Sequence, residues 1–172
     1  MTKILGPKFY TGPTLVIAKE LLGKFLVRET GKGKITKMIT EVEAYDGSGD
    51  LASHASRGKT DRTKAMFEAG GIWYVYFVYG MHYLLNIVVG PKDYPAAILI
   101  RGVEGVNGPA RVAKFFGLDK QFYGQPADKG SGLYIADRGV KVDNKDIKTS
   151  TRLGVAYAGP VWSKKKFRFF IK

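Results

Sequence analysis

The stretch Trp73-Tyr74-Val75-Tyr76-Phe77-Val78-Tyr79-Gly80-Met81-His82-Tyr83, with its continuation to Val89, decides how this chain folds. Trp, Tyr, Phe and Val fill Trp73 to Tyr79, and these residue types suit a pleated, half-buried surface. Gly80 marks a turn and Tyr83 to Val89 runs back, so the segment reads as a β-hairpin with Tyr79 and Gly80 at its tip. Tyr74 and Tyr76 share one face of the first strand, and Tyr79 takes the opposite phase.

Outward from the hairpin, Ala96 to Val103 is a further strand with Arg101 near its end. Toward the N-terminus, Thr11-Gly12-Pro13 followed by Leu15, Ala18, Leu21 and Leu22 predicts a helix. Pro13 suits its first turn, and Gly23 its left-handed stop. Lys24 to Glu29 reads as a strand, Gly31-Lys32-Gly33 as a hairpin turn, and Ile35 to Tyr45 as the returning strand. Asp46 to Arg62 is a polar loop, longer than a compact domain keeps without a use for it. Asn107-Gly108-Pro109 opens a second helix that Gly117 closes, and Leu133 to Ile135 and Leu153 to Tyr157 are expected to be short strands. No internal repeat or linker interrupts the pattern. The elements together make a mixed α+β sheet protein.

The 172 residues match one compact unit, and 45% hydrophobic with 25% charged residues excludes a disordered chain. Lys and Arg number 28 against 15 Asp and Glu, a formal charge of +13. That surplus favours a polyanionic partner, nucleic acid above all. Ten Tyr accompany it, more than buried packing needs, which fits a surface that grips phosphate and stacks on bases. A basic protein with a Tyr-rich core is the plainer reading of the same totals. The absence of Cys excludes a disulfide scaffold and a thiol nucleophile, and two His are too few for most His-built metal sites. No apolar run reaches the roughly 20 residues that span a bilayer, and Met1-Thr2-Lys3-Ile4 opens no signal peptide, so an intracellular location is expected.

Charge is spread unevenly. Arg138 to Lys172 holds ten Lys or Arg against two Asp, while Glu41 to Asp50 holds four acids and no base. An acidic pocket within a basic surface suits an enzyme that acts on a polyanion; a solvated basic tail is the alternative for Lys164-Lys165-Lys166. On the strand Ile35 to Tyr45, the two-residue period puts Met38, Thr40, Val42 and Ala44 on one face. Ile39, Glu41, Glu43 and Tyr45 take the other. Side chains two apart lie roughly 6.6 Å from each other, so Glu43 can activate a water while Tyr45 holds the substrate. A solvent-facing strand with ordinary charges would look the same. Tyr79 at a β-tip has little to bury against and can act as a wedge between base pairs. Asn86 sits in an apolar strand where its amide needs partners. Arg101 emerges from a buried strand, a placement that calls for an ion pair.

In order along the chain, Glu41-Val42-Glu43-Ala44-Tyr45, His54, Ser56-Arg57-Gly58, Met66-Phe67, Tyr74-Val75-Tyr76, Tyr79-Gly80-Met81 and Asn86 are followed by Leu99-Ile100-Arg101, Gly108-Pro109-Ala110-Arg111 and Arg152-Leu153-Gly154-Val155. This pattern resembles the alkyladenine (3-methyladenine) DNA glycosylase family, the type without a helix-hairpin-helix, over nearly the whole chain. The resemblance implies a monofunctional hydrolase that removes alkylated or deaminated purines from duplex DNA. Glu43 corresponds to the base that deprotonates the attacking water, and Arg101 and the Leu153 carbonyl to groups that hold that water. Tyr45 corresponds to the ring on one face of the flipped purine, His54 and Tyr76 to those on the other. Asn86 corresponds to the residue that crowds the exocyclic amine of guanine, and Tyr79 to the wedge, with Met81 beside it. The expected fold is one α+β domain over residues 1–172, its mostly antiparallel curved sheet flanked by helices and bearing a protruding β-hairpin. A monomer acting on damaged double-stranded DNA is expected, with no metal, nucleotide or redox cofactor, no membrane and no lyase activity. Asp46, next to Tyr45, is expected to add charge at the pocket mouth.

Two rival functions fit parts of the same sequence. A non-catalytic module could stack single-stranded nucleic acid on its tyrosines, but it has no use for a water-activating Glu with an Arg partner. A glycoside hydrolase could use Glu41 and Glu43 as its carboxylate pair, yet both lie on one face of one strand rather than on opposite sides of a sugar.

Overall fold

The longest strand, Gly33–Asp46, has 14 residues and organises the rest of the fold; the computed structural model describes Met1 to Lys172 throughout. In chain order the strands are β1 (Lys3–Ile4), β2 (Phe25–Thr30), β3 (Gly33–Asp46), β4 (Trp73–Val78), β5 (His82–Val88), β6 (Ala96–Val103), β7 (Val106–Asn107), β8 (Leu133–Asp137), β9 (Lys148–Ser150) and β10 (Arg168–Phe170). The α-helices are α1 (Thr14–Leu21), α2 (Pro109–Phe116) and α3 (Gly159–Trp162). The main sheet path runs β1-β8-β2-β3-β6-β5-β4, and every strand pairing is antiparallel. The expected α+β class, with a curved and mostly antiparallel sheet, is what forms. The first half of β3 pairs with β2; its second half pairs with β6 on one side and β10 on the other. This change of partner along one strand lets the sheet curve without closing.

Two register shifts against β6 interrupt β3, between Ile39 and Glu41 and again between Glu41 and Val42. The first leaves Thr40 as an extra residue on β3; the second leaves Arg101 as an extra residue on β6. A strict two-residue period predicts Ile39 on the face opposite Val42 and Ala44. Instead all three are buried in the same apolar cluster. One inserted residue reverses the phase of the strand beyond it, and bulges commonly re-aim a side chain beside a functional site.

The core lies between this sheet and the two longer helices. α1 contributes Ile17, Ala18 and Leu21 against β3, and α2 contributes Val112, Ala113 and Phe116 against β5 and β6. α2 starts at Pro109 and stops at Gly117, the end the sequence predicted, where a φ of +64° makes a left-handed cap. Trp73 is fully buried and donates its indole N–H to the Leu133 carbonyl at 3.0 Å, linking β4 to the start of β8.

The expected strand over Leu153 to Tyr157 is not formed. Gly154 turns the chain at φ +71°, and Ala156–Ala158 makes a short 3-10 turn. Val155 and Ala158 pack with Ala52 in a small cluster beside Tyr45, so their hydrophobicity serves a loop contact rather than a sheet. Strands β1, β7, β9 and β10 have only two or three residues each, too few to leave a periodic signature.

Candidate active site

The phase of β3 after its bulge turns Glu43 and Tyr45 away from the core that holds Val42 and Ala44. Glu43 is 0% exposed, and a dehydrated carboxylate is costly unless donors meet it. Three groups do so. The Leu153 backbone N–H donates to Oε1 at 2.8 Å, the Tyr45 hydroxyl donates to Oε2 at 2.9 Å, and Arg101 Nε lies 3.6 Å from Oε1. Burial still dominates. It pushes the Glu43 carboxyl above the usual carboxylate range, against the pull of the Arg101 guanidinium and the two hydrogen bonds. A carboxylate so placed is a stronger proton acceptor than one in water.

Glu43 borders a cavity of about 420 Å³, within the usual range for small-molecule sites. Tyr45, His54, Tyr76, Asn86, Arg101, Leu153 and Tyr79 border the same cavity. Residues from β3, β4, β5, β6 and three connecting loops therefore converge, and of the sequence-predicted site residues only Met81 stands outside the lining. Asn86 is 2% exposed and spends one donor on the Tyr74 carbonyl at 3.2 Å. His54 Nδ1 is 3.0 Å from the Tyr74 hydroxyl, and its ring meets Tyr76 edge-on at 4.6 Å between centroids.

Burial, reinforced by the nearby Arg62 and Arg57, holds the His54 pKa down at about 4. The imidazole is thus neutral at physiological pH. In the unfolded chain it protonates near 6.5, so the unfolded state takes up the proton first as pH falls. His54's contribution to stability is full above pH 6.5 and is lost on descending toward pH 4. Melting temperatures of the parent and His54→Gln should therefore diverge across that window, the variant losing less on acidification. Parallel curves would show that His54 is not held neutral by the fold.

The structure corrects one expectation at this site. Asp46 does not border the cavity: its carboxylate accepts from Thr14 Oγ1 at 2.6 Å and from the Tyr94 hydroxyl at 2.9 Å. It follows Tyr45 on the strand and so takes the opposite face. Glu41 does not face a gap shared with Glu43, as a glycoside hydrolase pair would; it accepts from Arg101 Nε at 3.1 Å and Arg168 Nε at 2.6 Å. Sequence reasoning missed Asp50 and Arg152, which form a fully buried ion pair joining the two loops that carry His54 and Leu153. It also missed Tyr157, whose hydroxyl donates to the Ala52 carbonyl at 2.7 Å.

A family model described as Methylpurine-DNA glycosylase (MPG) matches residues 8–108 and 104–172 of this chain. The chain belongs to the methylpurine-DNA glycosylase family. A protein of Legionella pneumophila (strain Paris) is 39% identical over an alignment covering 100% of this chain and 96% of that relative. One from Myxococcus xanthus is 38% identical, covering 98% and 90%, and one from Psychrobacter cryohalolentis is 36% identical, covering 92% and 88%. Each bears the name "Putative 3-methyladenine DNA glycosylase". As a DNA glycosylase, this protein is a hydrolase of N-glycosyl bonds and its substrate is DNA.

The glycosylase carries its most exposed aromatic beside the cavity. At the tip of the β4–β5 hairpin, Tyr79 is 91% exposed with φ +52°, and Met81 is 66% exposed. Val78 and His82, which flank the tip, also border the cavity, so the hairpin leads from the pocket outward to Tyr79. A tyrosine in the left-handed region is uncommon, and strain of this kind clusters at functional positions. No helix of the glycosylase is long and apolar enough to cross a membrane.

Proposed function

We propose that this glycosylase releases alkylated or deaminated purines (3-methyladenine, 7-methylguanine, hypoxanthine and ethenoadenine) from duplex DNA, using a water activated by Glu43. The observation that carries this reading is a buried carboxylate in the wall of an aromatic cavity, next to a solvent-exposed aromatic hairpin tip. A base inside a duplex hides its glycosidic bond, so glycosylases as a class extrude the target nucleotide, at a cost of a few kcal/mol that is least for damaged pairs. Tyr45 on one side, with His54 and Tyr76 on the other, would sandwich the purine. A cationic alkylpurine gains about 1–2 kcal/mol from a desolvated electron-rich ring. Asn86 would crowd the exocyclic amine of normal guanine.

In the chemical step, Glu43 accepts a proton from water as the oxygen bonds to the anomeric carbon. The electron pair of the broken C–N bond leaves with the purine. Arg101 and the main chain at Leu153 would steady the water; Leu153 already addresses Glu43 through its N–H. No lysine borders the cavity to form a Schiff base, which supports a monofunctional enzyme without lyase activity. Borohydride should trap no covalent DNA adduct. The surplus of +13 would grip phosphates without reading sequence, and the protein would act as an intracellular monomer.

Tyr79 and Met81 would fill the gap left in the helix. Tyr79→Ala removes a side chain that is 91% exposed, so the melting temperature should hold while duplex excision falls. Single-stranded substrate, with no helix to wedge, should lose less. Equal losses on both substrates would show that Tyr79 is not a wedge. The whole reading is tested with an end-labelled duplex carrying one hypoxanthine or ethenoadenine, incubated and then treated with alkali. Strand cleavage at the lesion supports it; binding without cleavage would favour a stacking module instead.

A further inference from the structure

We infer that Glu41 is a positioning residue for the hydrolysis: it anchors Arg101 through Nε and so stops the guanidinium from closing onto Glu43. This inference rests on the reading of Glu43 as the base that activates water. Arg101 is the extra residue of the β6 bulge, so no cross-strand partner fixes its direction. What fixes it is a pair of carboxylates: Nε lies 3.1 Å from Glu41 Oε1 and 3.6 Å from Glu43 Oε1. The shorter contact goes to Glu41, which does not border the cavity, and the longer one to Glu43, which does. Glu41 is itself held from the far side, because Arg168 on β10 donates Nε to the same Oε1 at 2.6 Å. Gly102 stands opposite Glu41 in the register, and a Cβ there would come within 3.1 Å of Glu41 Cβ. The Glu41 side chain is therefore seated by its neighbours. The Arg101 side chain is 14% exposed, and its two terminal nitrogens donate to no protein atom, which leaves them free at the cavity wall.

This arrangement keeps two demands apart. The guanidinium must stay close enough to hold water or a phosphate near the reacting carbon. It must not pair fully with Glu43, because a tight ion pair would quench the carboxylate as a base and fill the space of the water. With Glu41 present, the guanidinium is shared between two carboxylates. With Gln at that position, Glu43 becomes its only ionic partner, and the contact should tighten. The charged and titratable groups around Glu43 are Arg101 on β6, Arg168 opposite it on β10, Glu41 and Tyr45 on β3, Arg152 beside Leu153, Tyr76 on β4 and Tyr157 in the turn after Val155. Of the cations, Arg101 exerts the strongest pull on Glu43. Relocating Arg101 is thus the change to which the Glu43 proton should respond most.

The test is the pH profile of single-turnover hypoxanthine release by parent, Glu41→Gln, Glu41→Asp and Arg168→Met, with thermal melts alongside. Glu41→Gln should lower the plateau by about 10- to 100-fold, the scale of small misplacements in a site, and move the acid-side midpoint to lower pH. Glu41→Asp keeps the charge and should recover part of both. Arg168→Met leaves Glu41 Oε1 to Arg101 alone and removes a cation opposite Glu43, so its midpoint should not move to lower pH; a downward move there would also overturn the inference. A parent-like profile in Glu41→Gln, or a lower plateau with an unmoved midpoint, overturns the inference even if the melting temperature drops. Should Glu41→Gln not fold, the same midpoint criterion applies to Glu41→Asp. Failure of the Glu43 reading would look different: the Glu43→Gln control would release hypoxanthine as fast as the parent.

Discussion

Arg152→Met is expected to cost this protein about 3–5 kcal/mol of folding stability, the range for removing one partner of a buried ion pair. Arg152 and Asp50 have side chains 0% exposed, and Arg152 Nη2 donates to Asp50 Oδ1 at 2.9 Å. The same guanidinium donates to the Ala44 carbonyl at 2.9 Å and packs on the rings of Tyr45 and Phe167, 4.9 and 5.2 Å from their centroids. Asp50 also accepts from the backbone N–H of Asp46 and of Ala52, both at 3.0 Å. Removing the cation leaves a dehydrated carboxylate at the junction of two loops. For a chain of this size, the melting temperature should fall by roughly 6–20 °C. Urea unfolding should give a lower midpoint with an unchanged slope, the mark of lost stability rather than an altered unfolded state. A fall of under about 2 °C would mean that water or a neighbour replaces the cation, and that the pair does not fasten these loops.

The second large effect is chemical. Glu43→Gln keeps the shape of the side chain and removes its capacity to take a proton from water. General base catalysis typically contributes about 10²–10⁴-fold, so excision of neutral lesions should fall by that factor. Cationic lesions should lose less, since their purine departs neutral and needs a weaker nucleophile. Stability should move the other way. Burial raises the Glu43 pKa in the folded state, so ionising it there costs more than ionising it in the unfolded chain. That contribution is most favourable below the unfolded value of 4.5 and is lost as pH rises through the folded pKa. Glu43→Gln should therefore melt at or above the parent temperature at neutral pH, with the difference shrinking on acidification. A site that stores such a cost holds its catalytic group at the expense of stability. The same ionisation should give excision an acid limb with its midpoint above 4.5.

Much of this architecture was legible where local chemistry and global fold agree. The β4–β5 hairpin announces itself by aromatic and β-branched residues on either side of Gly80, and α2 by Pro109 and Gly117 at its ends. Glu43 and Tyr45 were placed together because a two-residue period survives over that short distance. The same period failed across Thr40 and Arg101, since a bulge is a pairing event between two strands and neither strand encodes it alone. The Asp50–Arg152 pair spans 102 residues of sequence, and nothing local to either marks it. The Leu153 contact to Glu43 runs through a backbone N–H, which every residue but proline has. Leu153 to Tyr157 looked like a strand because apolar residues suit a loop cluster as well as a sheet; Gly154 decides for the loop.

The most direct trial is single-turnover release of hypoxanthine from a duplex at neutral pH by the parent and by Glu43→Gln, with affinity for the same duplex measured in parallel. Unchanged affinity with release slowed by about 10²–10⁴-fold is the predicted outcome. Release by the variant at the parent rate would contradict it.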